Sequence, residues 1–203
     1  MKRLFLISLM ICHLLNAQET TKKLTYGFNF NIIKSDFNLG KTFYSSDVFI
    51  NNTYGFGLGI FSQYQISELI SINLKSSLNF VNSYVYFLQL NENANQYNIM
   101  QTAVDIKSHF NLKTSLHKNS PYFIIGPNLK LPLYDKNQKN NSLFYKNRMS
   151  ALLDLGFGIN LKKKSVIFAP EFVYSFGLNN INSSPLLTHV YYNQFALILN
   201  FKN

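Results

Sequence analysis

The chain has 203 residues, a formal net charge of +10, 14% charged residues and 47% hydrophobic ones. That length suits one domain of ordinary size. No apolar run beyond the first residues reaches the roughly 20 that a spanning helix needs, which excludes membrane residence by helices. Cys12 is the only cysteine and lies in the leading apolar run, so the remainder has neither disulfide nor thiol chemistry.

The first segment fixes the expected compartment. Lys2 and Arg3 precede an apolar run from Leu4 to Leu15, broken only by Ser8 and His13, and Ala17 supplies a small residue at its exit. This pattern reads as a secretory signal peptide over 1–17, leaving 18–203 as a single exported domain. The residues before Cys12 lack the small side chains of a lipoprotein signal, so no lipid anchor is expected.

Eight segments then repeat with a period of two, the signature of strands with one greasy face. The first, 24–34, sets Leu24, Tyr26, Phe28, Phe30 and Ile32 against Thr25, Gly27, Asn29 and Asn31. The second, 54–64, opposes Tyr54, Phe56, Leu58 and Ile60 to Gly55, Gly57 and Gly59, glycines that leave room for bulky neighbours or relieve curvature. The third, 69–80, opposes Ile70, Ile72, Leu74, Leu78 and Phe80 to Ser71, Asn73, Lys75, Ser77 and Asn79. The fourth, 97–112, places Met100, Val104, Ile106, Phe110 and Leu112 on the greasy face and Gln101, Asp105, Lys107, His109 and Asn111 behind it.

The fifth, 122–133, has Phe123, Ile125, Leu129 and Leu131 opposite Gly126, Asn128 and Lys130; Pro127 and Pro132 weaken it because proline gives the ladder no donor. The sixth, 150–161, opposes Leu153, Leu155, Phe157 and Ile159 to Asp154, Gly156, Gly158 and Asn160. The seventh, 165–178, opposes Val166, Phe168, Phe172, Tyr174 and Phe176 to Glu171, Ser175 and Gly177. The eighth, 191–201, opposes Tyr191, Phe195, Leu197, Leu199 and Phe201 to Gln194, Ala196 and Asn200.

The connections alternate in length. Long ones fall at 35–53, 83–96, 134–149 and 179–190, shorter ones at 65–68, 113–120 and 162–164. The polar stretches 91–96 and 135–142 read as solvated loops. Outer-membrane barrels have short periplasmic turns and longer external loops, and their aromatic girdles suit a chain so rich in Tyr and Phe. The pattern therefore predicts an all-β fold, an eight-stranded antiparallel transmembrane up-and-down β-barrel in the cell outer membrane, with both termini periplasmic. A soluble lipocalin-like barrel would turn its greasy face inward instead. The basic balance suits contact with outer-membrane lipid and the phosphates of lipopolysaccharide; no nucleic-acid partner is expected.

The faces opposite the greasy ones carry Asp105, Asp154 and Glu171 with Lys75, Lys107 and Lys130. An eight-stranded barrel is just wide enough for side chains to fill it. Charges there must be paired, so these six are expected to form a structural lumen charge network between neighbouring strands rather than line a pore. No catalytic residue, cofactor site or metal site is expected: His109, His117 and His189 have no nucleophile and acid grouped with them, and no paired-histidine spacing occurs. The chain reads as a non-enzyme.

From about Tyr97 onward the sequence resembles the PorT-like outer-membrane barrel family, which includes the PorT/SprT component of type IX secretion and gliding. The resemblance runs through Val104-Asp105-Ile106-Lys107, with Lys107 where that family has proline, and through Tyr122-Phe123-Ile124-Ile125-Gly126-Pro127. It continues in Asp154-Leu155-Gly156-Phe157-Gly158-Ile159 and is most specific in the Pro-Glu strand from Ala169 through Gly177-Leu178-Asn179-Asn180. It implies an integral outer-membrane protein acting as an accessory part of type IX secretion or gliding, with other secretion-machinery proteins as partners. A structural or adhesive barrel that binds envelope partners or external ligands through its loops is the alternative.

Overall fold

The computed structural model describes residues 24–41, 48–89, 92–115, 119–133, 148–163, 166–182 and 187–202. The expected signal peptide 1–17, the loop 135–142 and His117 lie outside them. The elements are β1 (Leu24–Lys41), β2 (Val48–Asn51), β3 (Tyr54–Gln65), β4 (Ile70–Val81), β5 (Ser83–Gln89), β6 (Glu92–Ile99), β7 (Thr102–Lys113), β8 (Pro121–Pro132), β9 (Ser150–Ile159), β10 (Leu161–Lys163), β11 (Val166–Gly177) and β12 (Leu187–Lys202). All pairings are antiparallel, in the order β11-β12-β1-β3-β4-β7-β8-β9, and β9 returns to β11. The result is a closed eight-stranded barrel.

Closure has a measurable stagger. Lys34 pairs with Phe195, and the row continues through Tyr174, Leu155, Ile125, Phe110, Ile72 and Tyr64 to Leu24, on the strand where it began. One circuit thus descends from residue 34 to residue 24. This shear tilts every strand against the barrel axis, so each cross-strand row climbs the wall as a spiral.

Within the barrel the alternation places the greasy face outward. Phe28, Leu58, Ile60, Leu74, Phe123 and Phe157 are all more than half exposed, while Asn29, Asn73, Lys75, Asp105, Lys130 and Glu171 are buried. Aromatic pairs such as Phe157–Phe172 and Phe28–Phe201 stack across neighbouring strands on the outer wall. Tyr26 and Tyr64 sit outward near one end, Tyr54 and Tyr191 near the other. On β1 the polarity then inverts: Lys34, Asp36 and Asn38 face out, while Ile33 and Phe37 turn in.

The three short turns share one end with Leu24 and Lys202, which the pairing of Gly27 with Lys202 brings together. All the longer connections share the opposite end.

Several elements differ from their sequence expectations, each for a local reason. The segment 97–112 is two strands, because Met100 adopts a left-handed φ of 53° that breaks the alternation. Met100 consequently does not join the outer face; it is buried in the interior. The upstream residues, including 92–96 of an expected loop, form β6, which pairs with β5, and β5 with β2, in a small sheet beyond the long-connection end. β1 runs on to Lys41 and β12 starts at Leu187, because these two strands keep pairing past the apolar belt.

The expected sixth strand breaks at Asn160. Leu178 N donates to Ala151 O, and that parity would require Pro170 to donate to Ile159; proline has no N–H, so the ladder lapses there and resumes with β10 against β11.

Arginine at Leu74 or at Leu155 puts a charge on the lipid face, costing about 2–4 kcal/mol near the bilayer midplane. Each variant should fold into lipid vesicles with lower yield, read by the heat-dependent gel shift of the barrel. Parental yields for both would contradict the outward assignment of these strands.

Candidate functional site in the barrel interior

The interior is where the chain concentrates its charge. The glycines on inward faces make the space for it. A Cβ at Gly158 would lie 2.7 Å from the Tyr122 hydroxyl and 2.8 Å from Glu171 Cγ, and one at Gly59 would lie 2.8 Å from Asn29 Oδ1. Small residues on one strand thus leave room for the long side chains of others.

The six residues picked out by phase all point inward and are at most 4% exposed. Lys75 Nζ is in direct contact with Glu171 Oε2 and donates to Asn200 Oδ1 at 3.3 Å. The other Glu171 oxygen accepts from the Tyr122 hydroxyl at 2.9 Å. β4 and β11 stand four places apart in a ring of eight, so the Lys75–Glu171 pair spans the lumen from wall to wall. It does not join neighbouring strands, as the sequence had suggested. The direct neighbour of Lys75 is Lys107, a like charge, and the acids reaching in from across the lumen offset that repulsion.

Lys107 Nζ lies 3.6 Å from Asp105 Oδ2 and 3.9 Å from Asp154 Oδ2. Asp154 also meets His109 Nε2 at 2.8 Å and accepts from Asn128 Nδ2 at 3.2 Å. Asp105 and Lys130 are cross-strand partners with Nζ 2.6 Å from Oδ1, the one acid–base pair that follows the neighbour expectation. Gln194, directly opposite on β12, donates to Asp105 at 3.5 Å and to Ser175 at 3.2 Å. The Lys130 ammonium also lies 5.1 Å from the centre of the Tyr192 ring, a cation–π contact.

Sequence phase missed three participants. Tyr122 shares its face with Gly126 and Lys130, and strict alternation finds it. Lys202 is buried and donates to Gln63 Oε1 at 2.8 Å; its place one residue from the end of the chain hid it. Tyr192 lies on the face of Gln194 and donates to its side chain at 3.1 Å.

The interior is also less polar than expected. Ile33, Val81, Ile124, Val173, Ala196 and Ile198 form one internal apolar cluster with Tyr122. A second cluster of Phe37, Met100, Leu152, Ile181, Leu187, Val190 and Tyr192 fills the long-connection end, above the Lys130–Asp105 pair.

The rim around that second cluster is held by the two asparagines of the Gly-Leu-Asn-Asn run. Asn179 accepts from Ala151 N at 2.6 Å and donates to Met149 O at 2.9 Å. Asn180 accepts from Asn182 N and Val190 N, both at 2.9 Å, which folds the connection back and lets Ile181 enter the cluster. Among the described residues no group of three or more His, Cys, Asp or Glu side chains is placed to hold a metal ion. His189 makes a tilted ring contact with Tyr191 at the rim and has no ion pair with the buried acids among the described residues.

The family described as outer membrane protein beta-barrel domain matches residues 16–183. Among solved structures, the outer membrane protein OprG from Pseudomonas aeruginosa is similar, at 13% identity, TM-score 0.52, 88% of this chain and 93% of that one. The outer membrane protein AlkL, determined in lipid bilayers, is similar at 14% identity, TM-score 0.50, 91% of this chain and 92% of that one. A search of curated proteins finds no match.

Removing one partner of the transluminal pair strands the other as an uncompensated buried charge, at a cost of about 3–5 kcal/mol. Glu171→Ala should therefore lower the unfolding midpoint in denaturant far more than the paired change Lys75→Met with Glu171→Leu, which removes both charges. Equal losses in the two would mean that the pair adds nothing beyond its packing.

Proposed function

This chain belongs to the outer membrane protein β-barrel domain family, and on that footing we propose that it is a non-enzymatic, non-conducting barrel whose filled interior stiffens the wall while its connections meet partners. The observation that carries this reading is the interior itself. Ion pairs bridge the lumen at Lys75–Glu171, and an apolar cluster occupies the long-connection end. A hydrated pore needs neither.

Within that class we read the protein as an accessory component of type IX protein secretion and gliding. The support is the Ala169–Asn180 resemblance: it contains Glu171, which anchors the transluminal pair, and Asn179 and Asn180, which hold the rim. In this reading the short-turn end, with Leu24 and Lys202, faces the periplasm. The long connections face outward, lipid and lipopolysaccharide surround the belt, and other secretion-machinery proteins dock at the turns or loops. A structural or adhesive role is the second reading, favoured by the β2-β5-β6 sheet beyond the long-connection end.

Deletion of the gene should leave cargo proteins unexported and abolish spreading of colonies, with both restored by the parental gene. Normal export and spreading in the deletion strain would remove the secretion role and leave the structural or adhesive reading. Separately, the purified barrel in planar bilayers should give no ohmic current steps; porin-like steps would overturn the filled-interior argument under either reading.

A further inference from the structure

The outer wall carries a feature that the interior does not explain. A cavity of about 700 Å³ runs along the membrane-facing side, following the climb of the rows from Tyr26 near the short-turn end to Leu178 at the long-connection end. Along its floor the small side chains of Ser62, Ser76, Ser108 and Ala151 fall between larger ones. Tyr26, Ser62, Leu74 and Ser108 are successive cross-strand partners, as are Ile60, Ser76, Ile106, Leu129 and Ala151 in the row beside them.

An independent defect lies in the same groove. Leu133 N donates to Thr102 O, and Thr114 N to Pro121 O. By that parity the outward pairs of β7 and β8, including Ser108 with Pro127, are the ones that exchange both ladder bonds. Pro127 has no N–H to give. The paired register skips this place, and Gly126 is packed so closely that an added Cβ would strike the Ser108 carbonyl. The Ser108 carbonyl therefore lacks its ladder donor at a place where Ser108 and Pro127 line the groove, and an unsatisfied backbone group within a membrane costs several kcal/mol.

We propose that this groove binds one acyl chain of an outer-membrane lipid, and that a hydroxyl borne on that chain donates to the Ser108 carbonyl. The occupant follows from position. The groove is continuous with the lipid-facing wall and crosses it from rim to rim, so the only medium that reaches it is acyl chain. The hydroxyl follows from chemistry: the floor carries an acceptor without its ladder donor and the hydroxyls of Ser62, Ser76 and Ser108. The inference rests on the membrane-spanning assignment and not on any role in secretion.

The test uses the full-length barrel in phosphatidylcholine vesicles doped with a lipid carrying a 3-hydroxyacyl chain or with its unsubstituted counterpart. The protein is then extracted in mild detergent and weighed intact with its retained lipid. The parent should keep one doped lipid and prefer the hydroxylated form. Ser76→Phe with Ser108→Phe, which fills the groove, should lose retention about tenfold, while Leu78→Phe, equally bulky on the lipid face outside the groove, should retain lipid like the parent. Pro127→Val returns the missing N–H and should keep the chain but erase the preference for the hydroxyl. Equal retention by the parent and the groove-filled variant would reduce the site to annular lipid and overturn the proposal. Equal retention of the two chains by the parent would overturn the role given to the Ser108 carbonyl.

Discussion

The width of an eight-stranded barrel is the constraint from which most of the structure follows. At that width an ammonium on one wall reaches a carboxylate on the opposite wall, and Lys75 meets Glu171 across the lumen. No water column separates them to screen or solvate either charge. Each long polar side chain therefore needs a partner and a place, and the wall supplies both. Glycines sit where Tyr122, Glu171 and Asn29 need room. Tyr122 and Asn200 bond to the two members of the pair from other strands, and Gln194 reaches across the lumen to donate to Asp105. Buried ion pairs of this kind add little net stability over an apolar filling. They do fix which strand stands opposite which, because every misplaced register leaves a buried charge alone.

The outer wall and the interior were legible to different degrees, and the reason is physical. Side-chain alternation is local, so the orientation of Leu74 or Asp105 is written in the two residues on either side. Phase alone also placed Glu171 and Lys75 on the inward face. Their partnership was not legible, because strand order sets β4 opposite β11 but only the shear of the closed ring brings Lys75 and Glu171 to the same height. The expectation of a network between neighbouring strands fits Asp105 and Lys130, which are cross-strand partners, and does not fit Lys75 and Glu171. Met100 was misread for a different reason: a left-handed residue resets the phase, and nothing in Asn98-Ile99-Met100-Gln101 announces it.

The prolines show the same division. Their inability to donate is a sequence fact, but its consequence depends on the partner strand. Pro170 ends the pairing of β9 and splits off β10. Pro127 leaves β8 continuous and instead deprives Ser108 of a donor. Two identical chemical deficits produce a strand break in one place and an unsatisfied carbonyl in the other, according to how the neighbouring strand can respond. The Asn179-Asn180 pair is legible only as a motif until the rim is seen; its amides then tie residues 179–182 to β9 and β12.

The crossing of the lumen by Lys75 and Glu171 also bears on how the protein enters its membrane. The two residues are 96 apart in sequence, and the ring closes only when β12, from the end of the chain, meets β1. A hairpin of β3 and β4 inserted by itself would carry the Lys75 ammonium into hydrocarbon with nothing to receive it, and β11 would bring Glu171 in the same condition. Stepwise insertion of hairpins is thus opposed at each step by an ion that only the finished cylinder can neutralise. A nearly complete ring avoids that cost, so the pair that braces the mature barrel also favours entry of the strands together over entry hairpin by hairpin.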